Sequence, residues 1–125
     1  MNKPLIAILG PTAVGKSALA LKLAQEFRGE IVSADSRQVY RGMDIGTAKP
    51  TREERARVPH HLLDVVNPGE AFSLADYQAR AYAAIDAIHA RGNVPFFVGG
   101  SGLYVRAVLD GLTIPRVAPD AARRA

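Results

Sequence analysis

Gly10, Pro11, Thr12, Ala13, Val14, Gly15, Lys16 and Ser17 follow the spacing G-x-x-x-x-G-K-[ST], which suits the capture of linked phosphates. The glycines let the backbone curl so that successive N–H groups point inward, and the start of a following helix adds partial positive charge. Lys16 then reaches the terminal phosphates, and the Ser17 hydroxyl is placed to ligate a magnesium ion bridging them. A chance glycine-rich turn is the alternative. The apolar run before the loop and the helical pattern after it favour phosphate binding. A second group follows at Asp35, where an apolar run ends in a carboxylate able to accept a proton or bind magnesium, or simply to cap a turn. Ser36, Arg37 and Gln38 add donors and an acceptor suited to a base edge or a sugar-phosphate, unless they form only a solvated turn.

Other residues narrow the chemistry by what they lack. Phosphate-loop hydrolases end a core strand in an Asp that holds the magnesium shell. Here the run from Val94 ends in Gly99 and Gly100, which weighs against motor and GTPase functions. Asp64 could substitute for that Asp, but its place in the middle of an expected strand favours a buried or edge structural carboxylate. The glycines from Gly99 to Gly102 offer either a second nest of N–H groups or close packing of the next helix. His60 and His61, adjacent on a strand, face opposite ways and cannot chelate one metal together, and His89 falls on the polar side of a helix. No catalytic role is assigned to the three.

The elements that must position these groups are read from periodicity. Strands are expected at 4–9, 30–34, 61–66 and 94–98. Helices are expected at 17–27 with a stripe of Leu19, Leu23 and Phe27, and at 51–58 capped by Thr51. Two more are expected at 73–91 and 103–110. The third of the four carries a Ser73–Asp76 capping pattern and a stripe of Leu74, Tyr77, Ala81, Ile85 and Ile88. Residues 41–50 read as an ordered loop. The first strand, helix and second strand imply parallel pairing, with Asp35 on the same carboxyl rim as the phosphate loop. Pro95 suggests that the fourth strand starts at a sheet edge. The fold class is therefore α/β, a P-loop NTPase-like three-layer α/β/α arrangement with a mostly parallel sheet, incomplete in this chain.

Composition sets the remaining bounds. The 125 residues suffice for one core, and 48% apolar with 22% charged residues is ordinary for a soluble domain. No cysteine is present, so disulfides and thiolate metal sites are excluded. No apolar stretch is long enough for a bilayer, and Met1 leads straight into a strand, so a cytoplasmic protein without a membrane partner is expected. Basic residues crowd between Arg37 and Arg57 and between Arg116 and Arg124, which favours an anionic partner, nucleic acid included. Pro119 and Asp120 resemble a helix start cut off at Ala125, as expected for a fragment of a longer protein.

Several stretches together resemble the tRNA dimethylallyltransferases, also called tRNA isopentenyltransferases. Beyond the generic phosphate loop, the specific parts are the sixteen residues from Asp35 to Pro50, the His-His-Leu-Leu-Asp of 60–64, the Phe-Ser-Leu-Ala-Asp-Tyr-Gln of 72–78 and the Gly-Gly-Ser-Gly-Leu-Tyr of 99–104. The resemblance implies transfer of a dimethylallyl group from dimethylallyl diphosphate to the exocyclic N6 amine of the adenosine on the 3′ side of the anticodon. It implies Asp35 as general base, with the loop, Lys16 and magnesium on Ser17 holding the leaving diphosphate and Thr12 near its bridging oxygen. It also implies that Asp35, Ser36, Arg37, Gln38, Ser101 and Arg123 touch tRNA at its anticodon stem-loop, with the adenosine flipped out. The family is roughly twice this length or more. Residues 1–115 would be the N-terminal part of the transferase core and 116–125 the start of a truncated tRNA-binding insertion. The full-length form is expected to be a monomer, and this chain alone to transfer nothing and to expose apolar surface at its cut edge. The alternatives are an adenylate isopentenyltransferase, a P-loop small-molecule kinase and a non-catalytic tRNA-binding module.

Overall fold

A computed structural model describes residues 5–9, 16–35, 38–42, 49–100 and 102–110. Among the described residues there are four strands, β1 (Ile6–Leu9), β2 (Gly29–Ser33), β3 (His60–His61) and β4 (Val94–Gly99), and four helices, α1 (Lys16–Glu26), α2 (Arg52–Arg57), α3 (Leu74–Ala90) and α4 (Gly102–Leu109). All strand pairs are parallel, in the order β1-β4-β2-β3.

β4 lies inside the sheet because its apolar run has to be covered on both faces: Phe96 and Phe97 are both fully buried. Their side chains point opposite ways. Phe96 joins Ile31, Ala20, Leu21 and Ala24 under α1, whereas Phe97 joins Val32, Ala34, Tyr77, Ile88 and Val108 under α3 and α4. This gives the expected three layers around a parallel sheet.

Local signals define α2 and α3 well. Thr51 accepts from the Glu54 N–H while the Glu54 carboxylate takes the Thr51 N–H, and Ser73 and Asp76 make the same reciprocal box. The expected α3 stripe is the buried one, with Tyr77, Ala81, Ile85 and Ile88 inside.

Four expectations are corrected. β1 and β2 are parallel but not neighbours, because β4 lies between them. The α1 stripe is displaced: Leu19 and Phe27 are 49% and 57% exposed, and Ala20, Leu21 and Ala24 face the sheet. Small residues are needed there because α1 runs close over β2. A Cβ added at Gly29 would sit 2.9 Å from the Ala24 Cα and 2.3 Å from the Phe96 ring. The third strand spans only His60 and His61, since Leu62 and Asp64 take left-handed φ of 69° and 55°, and Val66 pairs next with Tyr40 in an isolated parallel bridge outside the four strands. Pro95 sits in an interior strand, not at a sheet edge. The Val94 N–H donates toward β2, at the Arg28 carbonyl, so the Pro95 nitrogen faces β1, whose ladder begins only at Ile6↔Phe96. The boundary expected at residue 115 lies outside the described residues.

Candidate active site

The carboxyl rim of the sheet gathers the chemistry-bearing residues that the structure describes. β1 ends at Leu9, in register with Gly99, and β2 ends at Ser33, in register with Val98. The Ala34 N–H donates to the Val98 carbonyl at 2.8 Å, carrying this pairing up to Asp35. Lys16 and Ser17 open α1 on the same rim, Lys16 half-buried and Ser17 exposed. Asp35 is half-buried, and its carbonyl accepts the Gln38 N–H at 3.1 Å, which turns Gln38 back onto Asp35.

Beneath this rim, between α1 and the sheet, lies a cavity of about 50 Å³. Ser17, Ser33 and Gln38 supply polar groups to its wall, and Ala20, Leu21 and Ile31 supply apolar ones. The structure thus brings Ser17 and Gln38, expected on separate grounds, onto one cavity. Gly10, Pro11, Thr12, Ala13, Val14 and Gly15 of the loop lie outside the described residues, as do Ser36, Arg37, Ser101 and Arg123.

Several supports of the rim have no signal in the local sequence. The Ser33 hydroxyl donates to Gln38 Oε1 at 3.0 Å, and the Tyr77 hydroxyl donates to the Ser33 carbonyl at 2.7 Å. Tyr104 stacks on Tyr77, with ring centroids 3.8 Å apart and planes 16° from parallel. Burial, with Tyr40 and Asp35 nearby, pushes the Tyr104 hydroxyl up to about 12, and burial likewise raises that of Tyr77. Tyr77 reads in sequence as a stripe residue. The hint it carries is its hydroxyl, which needs a partner once the stripe is buried.

Asp64 is not a mid-strand residue but sits in the turn after β3, where it is the structural carboxylate expected. Its Oδ1 accepts from Lys49 Nζ at 2.5 Å and its Oδ2 from Arg55 at 2.9 Å. Burial opposes its charge, yet these two cations hold the carboxyl below the usual range. His60 and His61 do face opposite ways: the His60 Nδ1 lies 2.7 Å from the Val58 carbonyl, and the His61 Nε2 lies 2.7 Å from Glu30 Oε1. Burial lowers the His60 pKa from its usual value. Gly99 permits close packing against Ala34 after β2 rather than against the next helix, since a Cβ there would lie 2.5 Å from the Ala34 carbonyl oxygen. Among the described residues, no three His, Cys, Asp or Glu side chains come together as a metal site, and no helix is long and apolar enough to cross a membrane.

A family model described as IPP transferase matches residues 38–125. The tRNA dimethylallyltransferase of Roseiflexus sp. (strain RS-1) is 72% identical over 116 residues, covering 93% of this chain and 38% of that relative. That of Chloroflexus aggregans is 60% identical over 125 residues, covering 42% of its own length. The full-length tRNA isopentenylpyrophosphate transferase of Bacillus halodurans superposes with a TM-score of 0.86 at 51% identity, over 98% of this chain and 41% of that one. A eukaryotic dimethylallyltransferase solved acting on tRNA gives 0.83 at 33% identity, over 97% of this chain and 31% of its own. The chain thus spans well under half the length of the relatives it matches.

Proposed function

The chain belongs to the IPP transferase family, and from that premise we propose that it forms the donor-holding and base-carrying part of a tRNA dimethylallyltransferase. The reaction is alkyl transfer from dimethylallyl diphosphate to the N6 amine of the adenosine on the 3′ side of the anticodon. The amine nitrogen forms a bond to the first carbon of the dimethylallyl group as the carbon–oxygen bond to diphosphate breaks. Asp35 takes the proton that the amine loses, and the diphosphate leaves with the bond electrons. No water is consumed, in keeping with β4, the neighbour of β1, ending at Gly99 rather than in a carboxylate.

The observation that carries this reading is the shared cavity. Ser17, at the start of the helix that follows the phosphate loop, and Gln38, at the end of the turn that Asp35 opens, line the same space. Its apolar wall of Ala20, Leu21, Ile31, Leu63 and Val98 gives a five-carbon tail surface to pack on, with Glu54 and His60 as further polar groups beside it. Lys16 and the N–H groups at the head of α1 would stabilise the charge growing on the diphosphate. The donor set fits magnesium as part of a bound diphosphate complex, with the exposed Ser17 hydroxyl as the protein's ligand. When bound, the ion would neutralise leaving-group charge. Ser36, Arg37, Gln38, Ser101 and Arg123 would hold the acceptor RNA.

The test is transfer of label from dimethylallyl diphosphate to an anticodon stem-loop RNA, run with this chain and with a form extended to the length of its relatives. Label in RNA from the extended form supports the reading. ATP consumption with a hydroxyl acceptor and no RNA label would assign a kinase instead, and label in free adenylate would assign the nucleotide-modifying enzyme.

A further inference from the structure

After β3 the chain does not leave the sheet rim but straps the acceptor-side turn in place. The Asp64 N–H donates to the Gln38 carbonyl at 3.0 Å, and the Val65 and Val66 N–H groups donate to the Val39 carbonyl at 2.8 and 3.0 Å. In return the Arg41 N–H donates to the Val66 carbonyl at 2.8 Å. The left-handed φ of 55° at Asp64 aims its own N–H along this strap. Asx residues tolerate that conformation better than most.

The same residue closes the strap at its other end. Its carboxylate binds Lys49 Nζ, and Lys49 Nζ also donates to the Tyr40 carbonyl at 2.7 Å. Asp64, Gln38, Tyr40 and Lys49 therefore form a closed circuit of hydrogen bonds, braced from outside by Arg55 on Asp64 Oδ2. The Lys49 side chain is 5% exposed, so its ammonium has lost most of its water and relies on protein partners, the Tyr40 carbonyl and Asp64 among them. Gln38 is held through its N–H by Asp35, through its carbonyl by Asp64 and through its Oε1 by Ser33.

We infer that Asp64, clamped by Lys49 and Arg55, is a positioning residue for the acceptor site: it sets the Asp35–Gln38 turn through the Gln38 carbonyl and so governs how acceptor RNA is bound and deprotonated, not how diphosphate is held. The inference rests on the reading of that turn as the acceptor site. The hydrogen bonds of the circuit run through Gln38, Tyr40, Lys49 and Asp64, on the side of Asp35, so cutting it should act first on the acceptor and the two substrates should respond differently.

The experiment is steady-state transfer by the full-length form carrying Asp64→Asn, which keeps the turn conformation and removes the charge, with Asp35→Asn run alongside. Asp64→Asn is expected to raise KM for the stem-loop RNA on the order of 10-fold and to lower kcat. KM for dimethylallyl diphosphate should stay within about twofold of the parent. Should the single variant fail to fold because Lys49 is stranded, Lys49→Gln with Asp64→Asn removes both charges and is expected to show the same split. Equal changes in both KM values, or parental values for both, with Asp35→Asn inactive would overturn the positioning role alone. Parental kcat in Asp35→Asn would overturn the acceptor-site reading and the inference with it.

Discussion

Glu30 and Arg91, 61 residues apart in sequence, close a two-point ion pair: Arg91 Nε donates to Glu30 Oε2 at 2.9 Å and Nη2 to Oε1 at 2.6 Å. Glu30 is 2% exposed, and Asn93 and His61 complete its hydrogen bonds at 2.8 and 2.7 Å. The pair ties β2 to the end of α3 at the amino end of the strand, on the rim opposite Asp35. Its function is therefore in the fold. Glu30→Ala takes away the acceptor shared by Arg91, Asn93 and His61 and is expected to cost about 1 to 2 kcal/mol of unfolding free energy, less than for a fully buried pair because the Arg91 side chain is 47% exposed and rehydrates. A denaturant midpoint matching the parent's would refute this.

The same carboxylate makes stability depend on pH. Foremost the Arg91 hydrogen bond, and then those of Asn93 and His61, hold its pKa at about 2 against the usual 4.5, although burial opposes them. A carboxyl depressed on folding adds stability that is complete above its unfolded pKa and is lost as pH falls toward the folded one. The stability gap between parent and Glu30→Gln should then be full at pH 7 and shrink between about pH 4.5 and pH 2. A gap that stays constant over that window would mean that the charge contributes nothing.

The end of β2, on the carboxyl rim, hangs on a tyrosine. In Tyr77→Phe the ring still stacks on Tyr104, but the buried Ser33 carbonyl loses the donor it has at 2.7 Å. The expected cost is about 1 to 2 kcal/mol. Ser33 also holds Gln38 Oε1, so weaker RNA binding should accompany the loss. An equally stable variant with unchanged RNA affinity would show that the hydroxyl is not a support.

These supports separate what was legible from what was not. Caps are local, so Thr51 with Glu54 and Ser73 with Asp76 marked α2 and α3 to within a residue or two. Strand order is not local: nothing in β1 or β2 announces that β4 comes between them. Periodicity counts large apolar residues, so it chose Leu19 and Phe27, whereas the close approach of α1 at Gly29 selects Ala20 and Ala24. The turn at Leu62 and Asp64 was hidden because no glycine marks its positive φ. The placement of Lys16 and Asp35 on one rim was legible, from the loop spacing and from the apolar run that ends at Asp35. Lys49 and Tyr77 were not, because their roles exist only across 15 and 44 residues of sequence.

Asp35→Ala should separate chemistry from donor binding. On the proposed reading Asp35 is the general base and the head of α1 holds the donor, so the variant should lose about 1000-fold in kcat while binding dimethylallyl diphosphate within about twofold of parental affinity. Calorimetric titration of the donor beside single-turnover transfer reads both. Parallel loss of binding and transfer would make Asp35 a magnesium ligand or a structural residue instead.

Two glycines of one short stretch should behave in opposite ways. At Gly99 an added Cβ would lie 2.5 Å from the Ala34 carbonyl oxygen and 2.6 Å from the Ala34 Cβ, so β4 and the residue before Asp35 approach each other only without a side chain there. The backbone of Ala34 cannot yield without moving its hydrogen bond to the Val98 carbonyl. Gly99→Ala is therefore expected to cost about 2 kcal/mol and to lower transfer by displacing Asp35. At Gly102, the first residue of α4, nothing lies within 4 Å of the added carbon. Gly102→Ala should stabilise α4 by up to about 1 kcal/mol, since alanine loses less backbone freedom on entering a helix. Thermal unfolding of the two variants against the parent decides the point. Similar shifts for both would mean that the close approach of Gly99 to Ala34 does not set the rim.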